Sequence, residues 1–256
     1  MGYYELLESR RKAIFDAIKE PEYQAILDEA ILQGYTLPIA TDQAKQNKIV
    51  TNLKQNGEWF NKDIIGYFKG SGDIGFKSIN WVNPTGVKFI ENGTGGLVWT
   101  TTGVKGDGIN SLVLGYNPTD DGGNYALNNS GIMLEIVTSF ISNEECLRAN
   151  FGITGRCVQL RTQATFQYIN SNGSGSREII NLNQIGFIGI TLLTGTFRGT
   201  LNGVNIEAAT VGKNPDQIPD TDFEVFRVGG VRGDMEIGMI LIGSSFNHSN
   251  LYDSIS

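Results

Sequence analysis

The clearest hydrophobic pattern in the chain runs from Gly186 to Ala208. Phe187, Ile188 and Ile190, then Phe197 and Leu201, then Val204 and Ile206, are apolar with small or polar residues between them. Asn202-Gly203 separates the last two runs. Alternation of period two marks half-buried strands, and Asn-Gly supplies the two positive φ angles of a type I′ hairpin turn. The same kind of pattern, punctuated by Gly, Asn, Asp and Pro, begins after Gly57 and continues nearly to the end. It predicts strands at 63–69, 75–80, 86–90, 96–101, 111–116, 131–140, 150–153, 157–160, 165–170, 178–182, 187–191, 195–201, 204–209, 223–228 and 234–242. Many short strands with frequent turn signals predict a mainly β fold, a two-sheet antiparallel jelly-roll sandwich. No long helical pattern lies between them, which argues against a parallel α/β sheet. Ile188, Ile190, Phe197, Leu201, Met239 and Leu241 are the expected core residues.

Before Gly57 the period changes to 3.6. Leu6, Ile14, Ala17 and Ile18 mark a first helix, and Ile26, Leu27, Ala30 and Ile31 a second. The second has Pro21 just inside its start and Gly34 after its end, the usual places for both residues. A third runs from Ala40 or Thr41 to Asn56, with Ala44, Ile49, Val50 and Leu53 on its apolar face. The chain therefore divides into a helical region, 1–58, and a sandwich, 59–256, on which part of the helical region packs. Short isolated helices are marginal in water. Leu6, Ile14, Ile18, Ile26, Leu27 and Ile31 are accordingly expected to be an attachment surface buried against neighbouring subunits. The sandwich is expected to fold without it.

Composition narrows the function. The 256 residues include 33 Gly, consistent with many turns, and the net charge is −7 with a pI near 4.8. That charge disfavours general affinity for nucleic acid or anionic membranes. No apolar run reaches the roughly 18 residues of a membrane helix, and the N-terminus lacks the pattern of a secretory signal. Cys146 and Cys157 could form a disulfide or remain as two thiols.

Few residues suggest chemistry. His248 is the sole histidine, so a Ser-His-Asp triad would have to use it; a polar residue in a capping turn is the plainer reading. Asp120-Asp121-Gly122-Gly123-Asn124 could offer oxygen ligands to calcium, though a hard cation wants several ligands at once; otherwise no cofactor is expected. Glu144-Glu145 and Asp234-Met235-Glu236 are the nearest approaches to paired glycosidase carboxylates. Arg232-Gly233-Asp234 falls between strands, where Gly and Asp are ordinary turn residues. Trp59, Trp81 and Trp99 could stack on sugars or fill the core. The chain is not expected to be an enzyme.

The order of elements resembles the laminin-G-like, concanavalin A-like jelly roll. The resemblance is carried by 106–118, by 131–140, by 187–204 with Asn202-Gly203, by Phe226-Arg227-Val228-Gly229-Gly230, and by Gly238-Met239-Ile240-Leu241-Ile242-Gly243 before a short helix. Residues 23–59 are similar to the N-terminal lead of tailed-bacteriophage virion proteins that carry such a jelly roll. The resemblance implies a structural, surface-displayed virion protein: a head decoration, head fibre or tail-associated subunit. Its expected partners are other virion proteins in a homo-oligomer, with a trimer as the first guess. The alternatives are a carbohydrate-binding module for host-surface glycans and, less favoured, a glycan hydrolase of the same fold. Exposed aromatics beside Asp and Asn would argue for sugar binding.

Overall fold

A computed structural model describes residues 19–93, 96–138, 145–150, 157–162, 166–170, 176–179, 185–193, 196–205, 207–209, 218–226 and 235–255. The first expected helix, with Leu6, Ile14 and Ile18, lies outside these residues. The next two follow the sequence pattern closely: α1 is Pro21–Leu32 and α2 is Ala40–Gln55. Pro21 opens α1, and Gly34, at φ 75°, ends it.

Sixteen strands follow among the described residues: β1 Lys62–Tyr67, β2 Ile90–Asn92, β3 Val98–Trp99, β4 Val104–Lys105, β5 Ser111–Val113, β6 Asn129–Ile136, β7 Glu145–Asn150, β8 Cys157–Thr162, β9 Phe166–Asn170, β10 Ser176–Ile179, β11 Gly186–Leu193, β12 Thr196–Leu201, β13 Val204–Asn205, β14 Glu207–Ala209, β15 Glu224–Val225 and β16 Glu236–Gly243. They form two antiparallel sheets. One runs β13-β12-β11-β6-β16-β4-β3, with β1 also paired to β16; the other runs β14-β10-β9-β8-β7-β15-β5-β2. The central hairpin has its expected form: Leu201 pairs with Val204, and Asn202 and Gly203 take φ of 50° and 77°.

Local chemistry overrode the pattern in places. Residues 75–80, expected as a strand, contain the helical turn α3, Ile74–Lys77. Asp73 caps it, its Oδ1 accepting from the Phe76 amide at 2.9 Å, which satisfies a free amide at the helix start. The expected strand 86–90 contributes only Ile90, the first residue of β2. A second short helix, α4 (Pro118–Asp121), starts at Asn117, which caps the Thr119 amide, with Pro118 in the first turn. The chain closes with α5, His248–Ile255.

The core has two parts, one on each face of the first sheet. Between the sheets lie Ile64, Ile132, Leu134, Ile136, Ile188, Ile190, Ile237, Ile240 and Ile242 with Leu112, Leu147, Phe223 and Val225. On the outer face lie Ile65, Met133, Phe187, Met239 and Leu241 with Tyr23, Ile26, Leu27, Val50, Leu53, Trp59, Trp81 and Leu251. Alternate residues of β1, β6 and β16 thus serve opposite faces. Every residue of β16 is buried, which is why its apolar run is continuous rather than alternating. Met239 and Leu241 are core residues, but of the sheet–helix layer and not of the inter-sheet layer. Leu201 packs half-buried on the inter-sheet core, and the Phe197 side chain lies outside the description.

The described part of the helical region, residues 19–58, is therefore not a free appendage. Of the expected attachment residues that are described, Ile26 and Leu27 are covered by the chain itself and Ile31 stands 60% exposed. Burial of a large apolar side chain contributes roughly 1.5–3 kcal/mol, and α1 and α2 contribute several to this layer. No described helix is long and apolar enough to cross a membrane.

Candidate functional site

Several expected site residues have structural roles. His248 is buried, with Nδ1 2.6 Å from the Thr200 hydroxyl and Nε2 2.9 Å from that of Thr191. One nitrogen donates and the other accepts, so the ring is satisfied as the neutral tautomer. Burial, with a smaller contribution from the Arg198 charge, lowers its pKa from 6.5 to about 4. Its neighbours are hydroxyls and the Phe246 ring, 4.9 Å away between centroids. It joins α5 to the sheet.

Glu236 is buried, and its Oε1 accepts from the hydroxyls of Thr100 (2.5 Å) and Thr102 (2.6 Å). Asp234, Glu144 and Arg232-Gly233-Asp234 lie outside the described residues, as does the Glu145 side chain. In the β7–β8 register Cys157 stands opposite Asn150, four residues along β7 from Cys146. At about 3.3 Å per residue that is about 13 Å, well beyond the Cα separation a disulfide spans; Cys146 is buried in the inter-sheet core.

Residues 121–124 of the acidic run form one wall of an open cleft of about 710 Å³. Asp120 and Asp121 each turn one oxygen inward: Asn117 donates from Nδ2 to Asp120 Oδ2 and from its amide to Asp121 Oδ2. Nearby, burial raises the Asp222 pKa, and the charges of Asp121 and Asp120 add to the effect. Among the described residues no group of three or more His, Cys, Asp or Glu is placed to hold a metal.

The opposite wall is built by the turn into β1. A 3₁₀ turn, Trp59–Asn61, buries Trp59 and leaves Phe60 66% exposed. The next residue, Lys62, is fully buried, with its ammonium 2.9 Å from Glu58 Oε2 and 5.1 Å from the Phe246 ring centroid. Desolvation lowers the Lys62 pKa, and Glu58 opposes that shift. Glu58 Oε1 accepts from the Asn247 amide, so the pair also fixes the entry to α5.

Between Lys62 and Ile64 the pairing of β1 with β16 shifts register. Such a bulge re-aims a side chain, and here Asp63 reaches across to the 116–125 loop. Its Oδ1 accepts from the Asn124 amide (2.8 Å) and Nδ2 (3.0 Å). Its Oδ2 accepts from the Tyr116 hydroxyl (2.9 Å) and the Tyr125 amide (2.8 Å). Gly123 permits this approach: it has φ 104°, and a Cβ there would lie 2.4 Å from Asp63 Oδ1. Asn80 is similarly committed, accepting from the Ile65 and Val82 amides and donating to the Asp63 carbonyl. Phe60, Val82, Asn83, Val87, Asp121 and Asn124 are left to face the opening.

Asp120–Asn124 was a visible candidate in the sequence; Phe60, Asp63 and Asn83 were not. The one signal for Phe60 was its place beside Trp59 on a turn, where one of two adjacent aromatics must point outward. None of the three Trp is exposed: Trp59 and Trp81 are buried, and Trp99 packs half-buried on the inter-sheet core.

A second cleft of about 550 Å³ lies between α2, α5 and the turn at Gly70. It is lined by charges of both signs, including Asp42, Lys45, Lys48 and Lys69, and Tyr67 is its sole aromatic among the described residues.

No protein-family model matches this sequence, and no curated protein sequence matches it. Similar solved structures define the fold as a β-sandwich. Domain 4 of AbnA, a GH43 extracellular arabinanase from Geobacillus stearothermophilus in complex with arabinotriose, matches with a TM-score of 0.50 at 11% identity, over 77% of this chain and 98% of that domain. Trypanosoma rangeli sialidase in complex with the inhibitor DANA matches with a TM-score of 0.51 at 11% identity, over 82% of this chain and 38% of the sialidase. A mutant of HCR D/C VPI 5995 matches at 0.54 and 13% identity, over 77% of this chain and 52% of that one. At such identities the likeness is one of fold.

Proposed function

We propose that this chain is a carbohydrate-binding β-sandwich of the concanavalin A-like jelly-roll type, which holds a glycan in the cleft beside Phe60. The observation that carries the reading is the exposed Phe60 ring on the same opening as Asn83, Asp121 and Asn124. A sugar has an apolar face that stacks on an aromatic ring and a rim of hydroxyls that pair with amides and carboxylates. Similarity to an arabinanase domain holding arabinotriose and to a sialidase holding an inhibitor supports a glycan as ligand.

The cleft suits binding without cleavage. A glycosidase of the two-carboxylate kind needs both carboxyl groups free to exchange protons or attack. Asp63 accepts four hydrogen bonds, which leaves neither of its oxygens for that work. Displayed on a phage virion, the setting implied by the sequence resemblance, such a cleft would hold host-surface glycans.

The test is Phe60→Ala in the full chain, assayed by calorimetry against an oligosaccharide selected from a glycan array. Loss of stacking worth about 1.5 kcal/mol lowers affinity about tenfold. The melting temperature should not move, because the ring is exposed. Undiminished binding, or no binding to any glycan on the array, refutes the reading.

A further inference from the structure

We infer that the cleft selects glycans without negative charge, neutral or amino sugars, and rejects uronic, sialic and sulfated ones. This inference rests on the carbohydrate-binding reading and concerns which chemical class the same cleft accepts.

The charges on the page decide it. Among the described residues, the ionisable side chains lining the cleft are Lys62, Asp63, Asp121 and the phenol of Tyr116. Lys62 is the single cation among them, and it is out of reach: its side chain is fully buried and its ammonium is committed to Glu58. Lys88, next to Val87, is also turned away, its ammonium 2.8 Å from Glu29 Oε1 and bonded to the Pro84 carbonyl. Among the described residues the charge that faces a ligand is therefore that of carboxylates alone, with Asp121 exposed at the rim. Burial raises the pKa of the Tyr116 phenol, and the neighbouring Asp63 charge raises it further, so it stays neutral.

Hydrogen-bonding capacity points the same way. Asp63 is spent on internal donors, and Asn80 accepts from two internal amides and donates to the Asp63 carbonyl. Asn124 Nδ2 donates to Asp63 Oδ1, which leaves its Oδ1 as an acceptor. Asp121 has one oxygen on the Asn117 amide and one to offer. Asn83 brings one acceptor and an NH₂. The opening is thus rich in acceptors and poor in donors. Hydroxyl and ammonium groups supply the matching donors; a carboxylate or sulfate supplies none and meets like charge.

The experiment is a glycan array with neutral, amino-sugar and acidic arms, read with the full chain and its Phe60→Ala variant. The positives are then titrated by calorimetry at low salt against uronate counterparts, galacto-oligosaccharides against oligogalacturonates for instance. The expected result is Phe60-dependent signal in the neutral or amino-sugar arms, and at least about tenfold weaker binding of the uronate, equivalent to a like-charge penalty of about 1.4 kcal/mol. Asp121→Asn should narrow that gap, the uronate gaining affinity relative to the neutral ligand; an unchanged ratio would count against the charge selection. Phe60-dependent binding of acidic glycans at equal or higher affinity overturns the charge selection and leaves the carbohydrate-binding reading standing. No Phe60-dependent signal in any arm overturns both.

Discussion

Stability should fall in a defined window of mild acid because of one residue. The neutral His248 ring bridges the Thr191 and Thr200 hydroxyls, and its pKa is lowered from 6.5 to about 4, chiefly by burial. The unfolded chain therefore takes up a proton at higher pH than the folded one. The contribution is complete above pH 6.5, declines as pH falls towards about 4, and changes no further below that. The slope is about 1.4 kcal/mol per pH unit, so the loss is about 2 kcal/mol at pH 5 and about 3 kcal/mol at pH 4. The lowered carboxyls of Glu20, Glu29 and Asp107 lose stability in the same direction, but at lower pH, because their unfolded values already lie near 4. Urea unfolding between pH 7 and pH 4.5 measures the effect in the wild type and in His248→Gln. Gln keeps a donor and an acceptor for the two threonines and has no titration in this range. The wild-type curve should steepen downward below pH 6.5 while the variant stays flatter until the carboxylates titrate. Parallel curves would refute the assignment.

Other outcomes follow from the packing. Lys62→Ala leaves Glu58 buried without its cation and should cost about 3–5 kcal/mol, whereas Glu58→Leu with Lys62→Met should recover much of it, both read by chemical denaturation. Asn202→Pro should lower stability by about 2–4 kcal/mol: the turn needs φ near 50° there, and the Asn202 amide and Oδ1 bond to the Phe187 carbonyl and amide. A melting temperature unchanged by Asn202→Pro would count against that turn. Removal of residues 1–58 should give an aggregating chain, because it uncovers Met133, Phe187, Met239 and Leu241 on the outer face of the first sheet; a soluble, cooperatively folding truncation would show that this face is stable without α1 and α2.

Local pattern alone determined much of this protein. Period-two runs and short continuous apolar runs bounded by turn signals placed most strands, β12 among the former and β16 among the latter, and Asn202-Gly203 fixed the central hairpin, because a two-residue turn depends on its own φ preferences and on nothing distant. Pro21 and Gly34 bounded α1 for the same reason. The layering was decided elsewhere. An apolar run such as that of β16 records that both faces are buried and not what buries them, so only the tertiary structure separated Ile240 and Ile242, which face the second sheet, from Met239 and Leu241, which face the helices. Ile26 and Leu27 likewise show an apolar face in the sequence, and it took the fold to cover them with the chain's own sheet. The cleft was least legible of all. Phe60 and Asp63 come from the entry to β1, Asn83 from a bend before β2 and Asp121 from the end of α4, and they converge because a bulge in β1 swings Asp63 onto the 116–125 loop, a three-dimensional event to which no residue spacing corresponds.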